Sequence, residues 1–216
     1  MMVAALRLAV VVASVAACGA SRAPAQQPAS ASPTDSLFGL VPPGYGQLNQ
    51  DVITIRLRSG DLEIRFTPLD ERVTRLLADD AYQSLNLLTN RYQATIDSLA
   101  AVEGIRRPGL ALITFFALAP NTPFDPNLVL LTTRNRLLRP SAFIPLSASF
   151  SAQRLEVRTQ AMGLYLFEDI IPVTEPFSIG YLGSTTDEWE RRLTRFDRER
   201  ARILGKVKQA PTSGTP

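Results

Sequence analysis

The stretch VITIRLRSGDLEIRF (residues 52–66) constrains the fold more than any other part of the chain. Apolar and charged residues alternate on both sides of a Ser59-Gly60 centre, which is the period of a strand with one buried face. Folding it about Ser59-Gly60 pairs Leu57 with Leu62, Ile55 with Ile64 and Ile53 with Phe66. The same register sets Arg58 against Asp61 and Arg56 against Glu63, so one face is apolar and the other carries opposed charges. Gly60 supplies the backbone angle that a tight turn needs. A hairpin of this kind requires a second layer against its apolar face.

A helix is expected next. Thr67-Pro68-Leu69-Asp70 offers a capping hydroxyl, a proline at the first helical position and an acidic first turn. Val73, Leu76, Leu77, Leu85, Leu88, Tyr92, Ile96 and Leu99 then recur at three- and four-residue spacing, with Gly104 as terminator. From Leu110 the pattern changes to short strands punctuated by Pro and Gly: 110–118, 128–133 and 136–140 as a hairpin around Arg134-Asn135, one within 141–150, one within 155–168, and a last one at 176–183. Residues 184–207 close the domain as an amphipathic helix with Trp189, Leu193, Phe196, Ile203 and Val207 on its apolar stripe. These elements predict an α+β fold over residues 40–208, an antiparallel β-sandwich-like domain with one long inserted helix and a C-terminal amphipathic helix, followed by a disordered tail at 209–216.

Composition removes many chemistries. The 216 residues contain no histidine and one cysteine, which excludes Ser-His-Asp and Cys-His catalysis, His-ligated metals and an internal disulfide. No cofactor or metal is expected. The net charge of +3 is carried almost wholly by arginines spread along the chain, unlike the concentrated basic patch of a nucleic-acid binder.

The single cysteine closes an apolar run. Arg7 precedes LAVVVASVAA (8–17), a segment far shorter than the ~20 residues a spanning helix needs and suited to a signal-peptide core. Val15-Ala16-Ala17-Cys18 resembles the lipobox of bacterial lipoproteins. The resemblance covers the first 18 residues only, and nothing beyond them resembles a known family. It implies a signal peptide at 1–17, cleaved before Cys18, and a diacylglyceryl group on the Cys18 thiol. The protein would then be exported and membrane-anchored, at the outer membrane of a Gram-negative cell because Gly19 rather than Asp follows the cysteine. Residues 18–39, rich in Ala, Ser, Pro and Gln, read as a disordered tether, reaching roughly 20–25 Å as a random coil.

Few residues of the folded part stand out as a site. Arg134, Arg136 and Arg139 cluster at the proposed hairpin, with Arg154 and Arg158 expected nearby, and can be read as contacts for lipid phosphates or an anionic polymer, or as a solvated strand face. Tyr45, in the stiff VPPGYG loop, is a candidate partner contact or a plug at the domain edge. Four acidic pairs (Asp70-Glu71, Asp79-Asp80, Glu168-Asp169 and Asp187-Glu188) could serve a glycosidase or bind calcium, but two of them sit at helix starts, where acids belong in any case, and none has the ligand spacing of a calcium loop. The expected function is a non-enzymatic binding or assembly module, presented on acyl chains at Cys18 to an envelope protein or polymer. The alternatives are an envelope polysaccharide hydrolase using paired carboxylates, or a small-ligand carrier with an apolar cavity.

Overall fold

The computed structural model describes residues 40–209. The expected signal segment (1–17), the tether (18–39) with Cys18, and residues 210–216 of the tail lie outside the described residues. Gln209 is the last residue of the final helix.

The chain runs β1 (Ile55–Ser59), β2 (Leu62–Pro68), α1 (Glu71–Thr74), α2 (Asp79–Val102), β3 (Gly109–Ala117) and β4 (Thr122–Pro123). It continues through β5 (Leu130–Thr132), β6 (Leu137–Leu138), β7 (Pro140–Pro145), α3 (Ser149–Ala152) and β8 (Arg154–Leu155). β9 (Gln160–Phe167), β10 (Ser178–Tyr181), β11 (Ser184–Thr186) and α4 (Glu188–Gln209) complete it. Two antiparallel sheets, ordered β1-β2-β3-β9-β7 and β11-β10-β5-β6, form the sandwich, and β4 pairs with β8 beside them. The fold is α+β, as expected.

Alternation along β2, β3 and β9 places Ile64, Phe66, Ile113, Phe115, Ala161, Tyr165 and Phe167 on one face, all buried. That face meets the second sheet through aromatic contacts. Phe115 stacks on Phe124 at 4.7 Å and lies 6.0 Å from Tyr181, while Phe66 meets Phe177 at 6.2 Å. Phe177 in turn stacks on Trp189 of α4 at 4.9 Å, and the buried indole donates to Val173 O (3.1 Å). The rings fill the space between the layers. Tyr165 and Tyr181 are also satisfied: the first donates to Pro126 O (3.1 Å), and the second accepts the Asp125 N–H (2.9 Å). Burial raises both phenols above their ordinary value, so they stay protonated and structural.

The first hairpin forms with the expected apolar face but a different register. Ile55 pairs with Phe66, Leu57 with Ile64 and Ser59 with Leu62, so the turn is centred on Gly60-Asp61. Gly60 has φ +57° and Asp61 is not in the left-handed region. A turn with only its first central residue at positive φ asks nothing of Ser59, whereas one centred on Ser59-Gly60 would force the serine into that region. A displacement by two preserves the faces but changes the charge pairs. Arg58 now faces Glu63, and Arg56 faces Arg65.

The expected single helix is two. Thr67 and Pro68 end β2, and Asp70 caps α1 by accepting the Arg72 N–H (2.9 Å). The helix then breaks because the segment 45–54 crosses there as a strap, making its contact at residues 46–48. Leu48 N–H donates to Leu76 O (3.1 Å) and Ala78 N–H donates to Leu48 O (2.9 Å), taking backbone groups that a continuous helix would use itself. Gly46 permits the approach, since a Cβ there would lie 2.2 Å from Leu77 O. α2 restarts at Asp79, and Ile96 and Ala100 seat its second half on Leu164, Leu166 and Ile144, the opposite face of the large sheet. The strand expected at 176–183 is β10; residues 184–186, expected as the start of the closing helix, instead form β11, joined to β10 at Leu182-Gly183, and the helix begins at Glu188.

α4 fastens the strap and covers the outer edge of β1. Arg192 Nη1 donates to Asp51 O (3.0 Å), Val52 O (2.8 Å) and Thr54 O (2.7 Å), and Glu188 Oε2 accepts the edge N–H of Arg56 (3.3 Å). A charged side chain on an edge N–H prevents another strand from pairing there.

Two glycines give opposite expectations. A Cβ on Gly163 would lie 2.6 Å from the Phe150 ring, so Gly163→Ala should lower the urea-unfolding free energy by about 1–3 kcal/mol. Gly205 lies within α4 with open space at its Cβ, so Gly205→Ala should raise it by about 0.5–1 kcal/mol.

Candidate functional site

The arginine cluster resolves into an ion-paired cleft. β5 and β6 pair around Arg134-Asn135, with Leu131 opposite Leu138, and the turn closes by Thr133 N–H donating to Arg136 O (2.8 Å). A cleft of ≈ 450 Å³ opens between this turn and the segment after β9, lined by Arg134, Arg136, Asp169 and Glu175 among others. Arg136 forms an ion pair with Asp169, whose backbone neighbour Ile170 also donates to it (2.8 Å). These bonds, the Arg136 guanidinium first, hold the Asp169 carboxyl below its ordinary range.

The arrangement corrects two details of the cluster. Arg139 sits outside the cleft, exposed on the link between β6 and β7. Arg154 and Arg158 lie at the other end of the strands, where Arg154 donates to Asn121 Oδ1 (2.9 Å) and Arg158 N–H to Ala117 O (3.0 Å). A phosphate approaching Arg136 has to compete with Asp169. The same depressed carboxyl is also unlike a general acid, which needs a raised value.

Tyr45 is about half-exposed, at 45%, and its backbone carbonyl accepts from Arg202 Nη2 (2.6 Å). Its loop belongs to the strap, where one carboxylate organises the contact with α4. Glu199, only 8% exposed, accepts from Gln47 N–H (2.8 Å) and receives Arg202 through two nitrogens at 2.6 and 2.8 Å. Nothing in the local sequence reveals this contact, because its partners lie about 150 positions apart.

The more open surface is the outer face of the five-stranded sheet. Cross-strand rows run Thr67-Leu112-Leu164, then Arg65-Thr114-Met162, then Glu63-Phe116-Gln160. α2 covers Leu164 and Leu166 but stops short of the other two rows, whose members are partly exposed or, for Gln160, exposed. A concavity of ≈ 500 Å³ results, floored by Thr67, Leu112, Thr114 and Met162, with Arg65 and Gln50 among its walls. Arg65 is held by Glu63 (2.7 Å) and lies over the Phe116 ring at 5.6 Å. Thr54 and Thr67 share a buried hydroxyl hydrogen bond of 2.8 Å beneath it. The periodicity identified the polar side of the hairpin but not that the helix would leave half of it uncovered.

Among the described residues, no three His, Cys, Asp or Glu side chains are grouped to hold a metal ion, and no helix is long and apolar enough to cross a membrane. No family model matches the chain, and no curated protein or solved structure matches it.

Glu199 gives a pH prediction. Its carboxyl is held below the ordinary range, by the Arg202 hydrogen bonds first and the Gln47 N–H as well, against the opposing effect of burial. The stability it contributes is therefore present above the ordinary carboxylate value and lost as pH falls through the depressed one. Glu199→Gln should cost about 1–3 kcal/mol at neutral pH and flatten the acid limb of a plot of urea midpoint against pH.

Proposed function

We propose that this chain is an exported lipoprotein whose folded domain is a non-enzymatic binding or assembly module for an envelope protein or polymer. Acyl chains on Cys18 hold it to the membrane, the outer membrane in a Gram-negative cell. Two or three such chains, at about 0.8 kcal/mol per buried CH₂, anchor firmly where one binds marginally. Residues 18–39 act as the tether.

The observation that carries the binding role is the uncovered half of the large sheet. A row of Arg65, Thr114 and Met162 beside Glu63, Phe116 and Gln160 offers ionic, hydrogen-bonding and apolar contacts within one shallow surface. Such a mixture suits an extended polar ligand or a protein surface. The β5–β6 cleft, with Arg134 free of the ion pair that occupies Arg136, supplies a second polar contact. The hydrolase reading finds less support, because Asp169, which shares the cleft with Glu175, is ion-paired to Arg136 and held below its ordinary range, which unfits it as the general acid of a carboxylate pair. The carrier reading also finds less, because aromatic rings fill the space between the sheets.

A photo-crosslinking residue at Gln160 tests the role. In intact cells it should yield a discrete adduct that weakens at least severalfold when Met162→Glu is added, while the same residue at Asp197, exposed on α4, yields none. Adducts equal at both positions, or none at Gln160, would contradict the assignment.

A further inference from the structure

The turn between β10 and β11 is built against its own local preferences. Tyr181 pairs with Ser184, leaving Leu182 and Gly183 as the two central residues, at φ +47° and +83°. Two consecutive left-handed residues form the type I′ pattern, in which Asn, Asp and Gly are favoured because a larger side chain crowds the backbone. Leucine gains nothing in compensation from the domain, since its side chain is 66% exposed. One position therefore carries both backbone strain and an exposed apolar group.

Immediately beside it is a cleft of ≈ 270 Å³, bounded by Leu182, Asp61, Asn121, Pro120 and Pro123 and backed by the buried Leu62 and Tyr181. The two prolines stiffen one wall. Asn121, itself at φ +54°, accepts from Arg154 Nη1 through its side-chain oxygen (2.9 Å), which holds that guanidinium beside one wall of the cleft. Asp61 and Arg154 each lack an oppositely charged partner among the described residues. The patch thus holds a protruding apolar side chain next to a recess, with an acidic group on the recess wall and a basic group held by Asn121 of the same wall.

A two-fold contact uses the same patch on both copies and so needs a knob, a hole and charges of both signs within one surface, which this patch supplies. We infer that two copies of this chain associate through it. Leu182 of each copy enters the cleft of the other, and Asp61 of each faces Arg154 of the other. The inference does not rest on the binding role proposed above, which uses the outer sheet face.

Sedimentation equilibrium of the exported chain carrying Cys18→Ser, from micromolar to millimolar concentration, tests it. The expected mass rises with concentration to that of two protomers. Leu182→Asn should halve it to one protomer across the range while leaving the thermal midpoint equal or higher, since asparagine suits the turn better. Asp61→Lys and Arg154→Glu should each also remain single, and their equimolar mixture should return to two-protomer mass. A wild-type patch that stays monomeric at millimolar concentration, a dimer that Leu182→Asn leaves intact, or a mixture that fails to associate would overturn the inference.

Discussion

The packing of one sheet face against the second sheet supports everything else in this domain. Phe66, Phe115, Tyr165 and Phe167 stand on that face because β2, β3 and β9 alternate in phase across their ladder. A slip of one residue in any of the three would turn its aromatic side chains to the outer face, so the register is strongly specified. The seam then dictates the rest. Phe177 reaches it from the segment before β10, Trp189 stacks on Phe177, and the indole bond to Val173 O fixes where α4 begins. With α4 so placed, Arg192, Glu199 and Arg202 fall along the strap and tie residues 45–54 to the domain.

Much of this was legible in the sequence, and the gaps have physical causes. Alternation in 52–66 and the apolar run at 110–118 mark three neighbouring strands of the large sheet, because a half-buried strand writes its period directly into the chain. The Arg134-Asn135 turn was legible for the same reason. Register was not, since Ser59-Gly60 and Gly60-Asp61 give the same apolar face and only the demand on φ separates them. The break before α2 was hidden because Leu76 and Leu77 fit a helical stripe as well as they fit a strap contact. Their partner, Leu48, lies outside any local window. The turn at Leu182-Gly183 escaped because Leu-Gly is not a dipeptide that signals a tight hairpin. The cleft is half visible: the sequence groups Arg134 and Arg136, but Asp169, 33 positions from Arg136, carries no local sign of the pairing.

The arginine-rich composition looks different once the ion pairs are in place. Nine pairs join arginines to carboxylates among the described residues, and several of the same guanidinium groups also bind backbone carbonyls. Arg72, held in a fork by Asp70, also reaches Ile171 O (3.0 Å), and Arg192 spans three carbonyls of the strap. Arginine suits this work because its planar fork can satisfy several acceptors at once. Arg72, Arg192 and Arg202 in particular fasten elements that are distant in sequence, while the outer sheet face keeps its mixed rows uncovered.

The proposed role depends on the anchor at Cys18, because it requires the domain to be displayed on a membrane. The intact mass of the mature protein, extracted with detergent from bacterial membranes beside a Cys18→Ser version, measures this directly. A product that begins at residue 18 and is heavier by two or three acyl groups, absent from the serine version, is the predicted result. An unmodified mass, or a chain cut elsewhere, would contradict it.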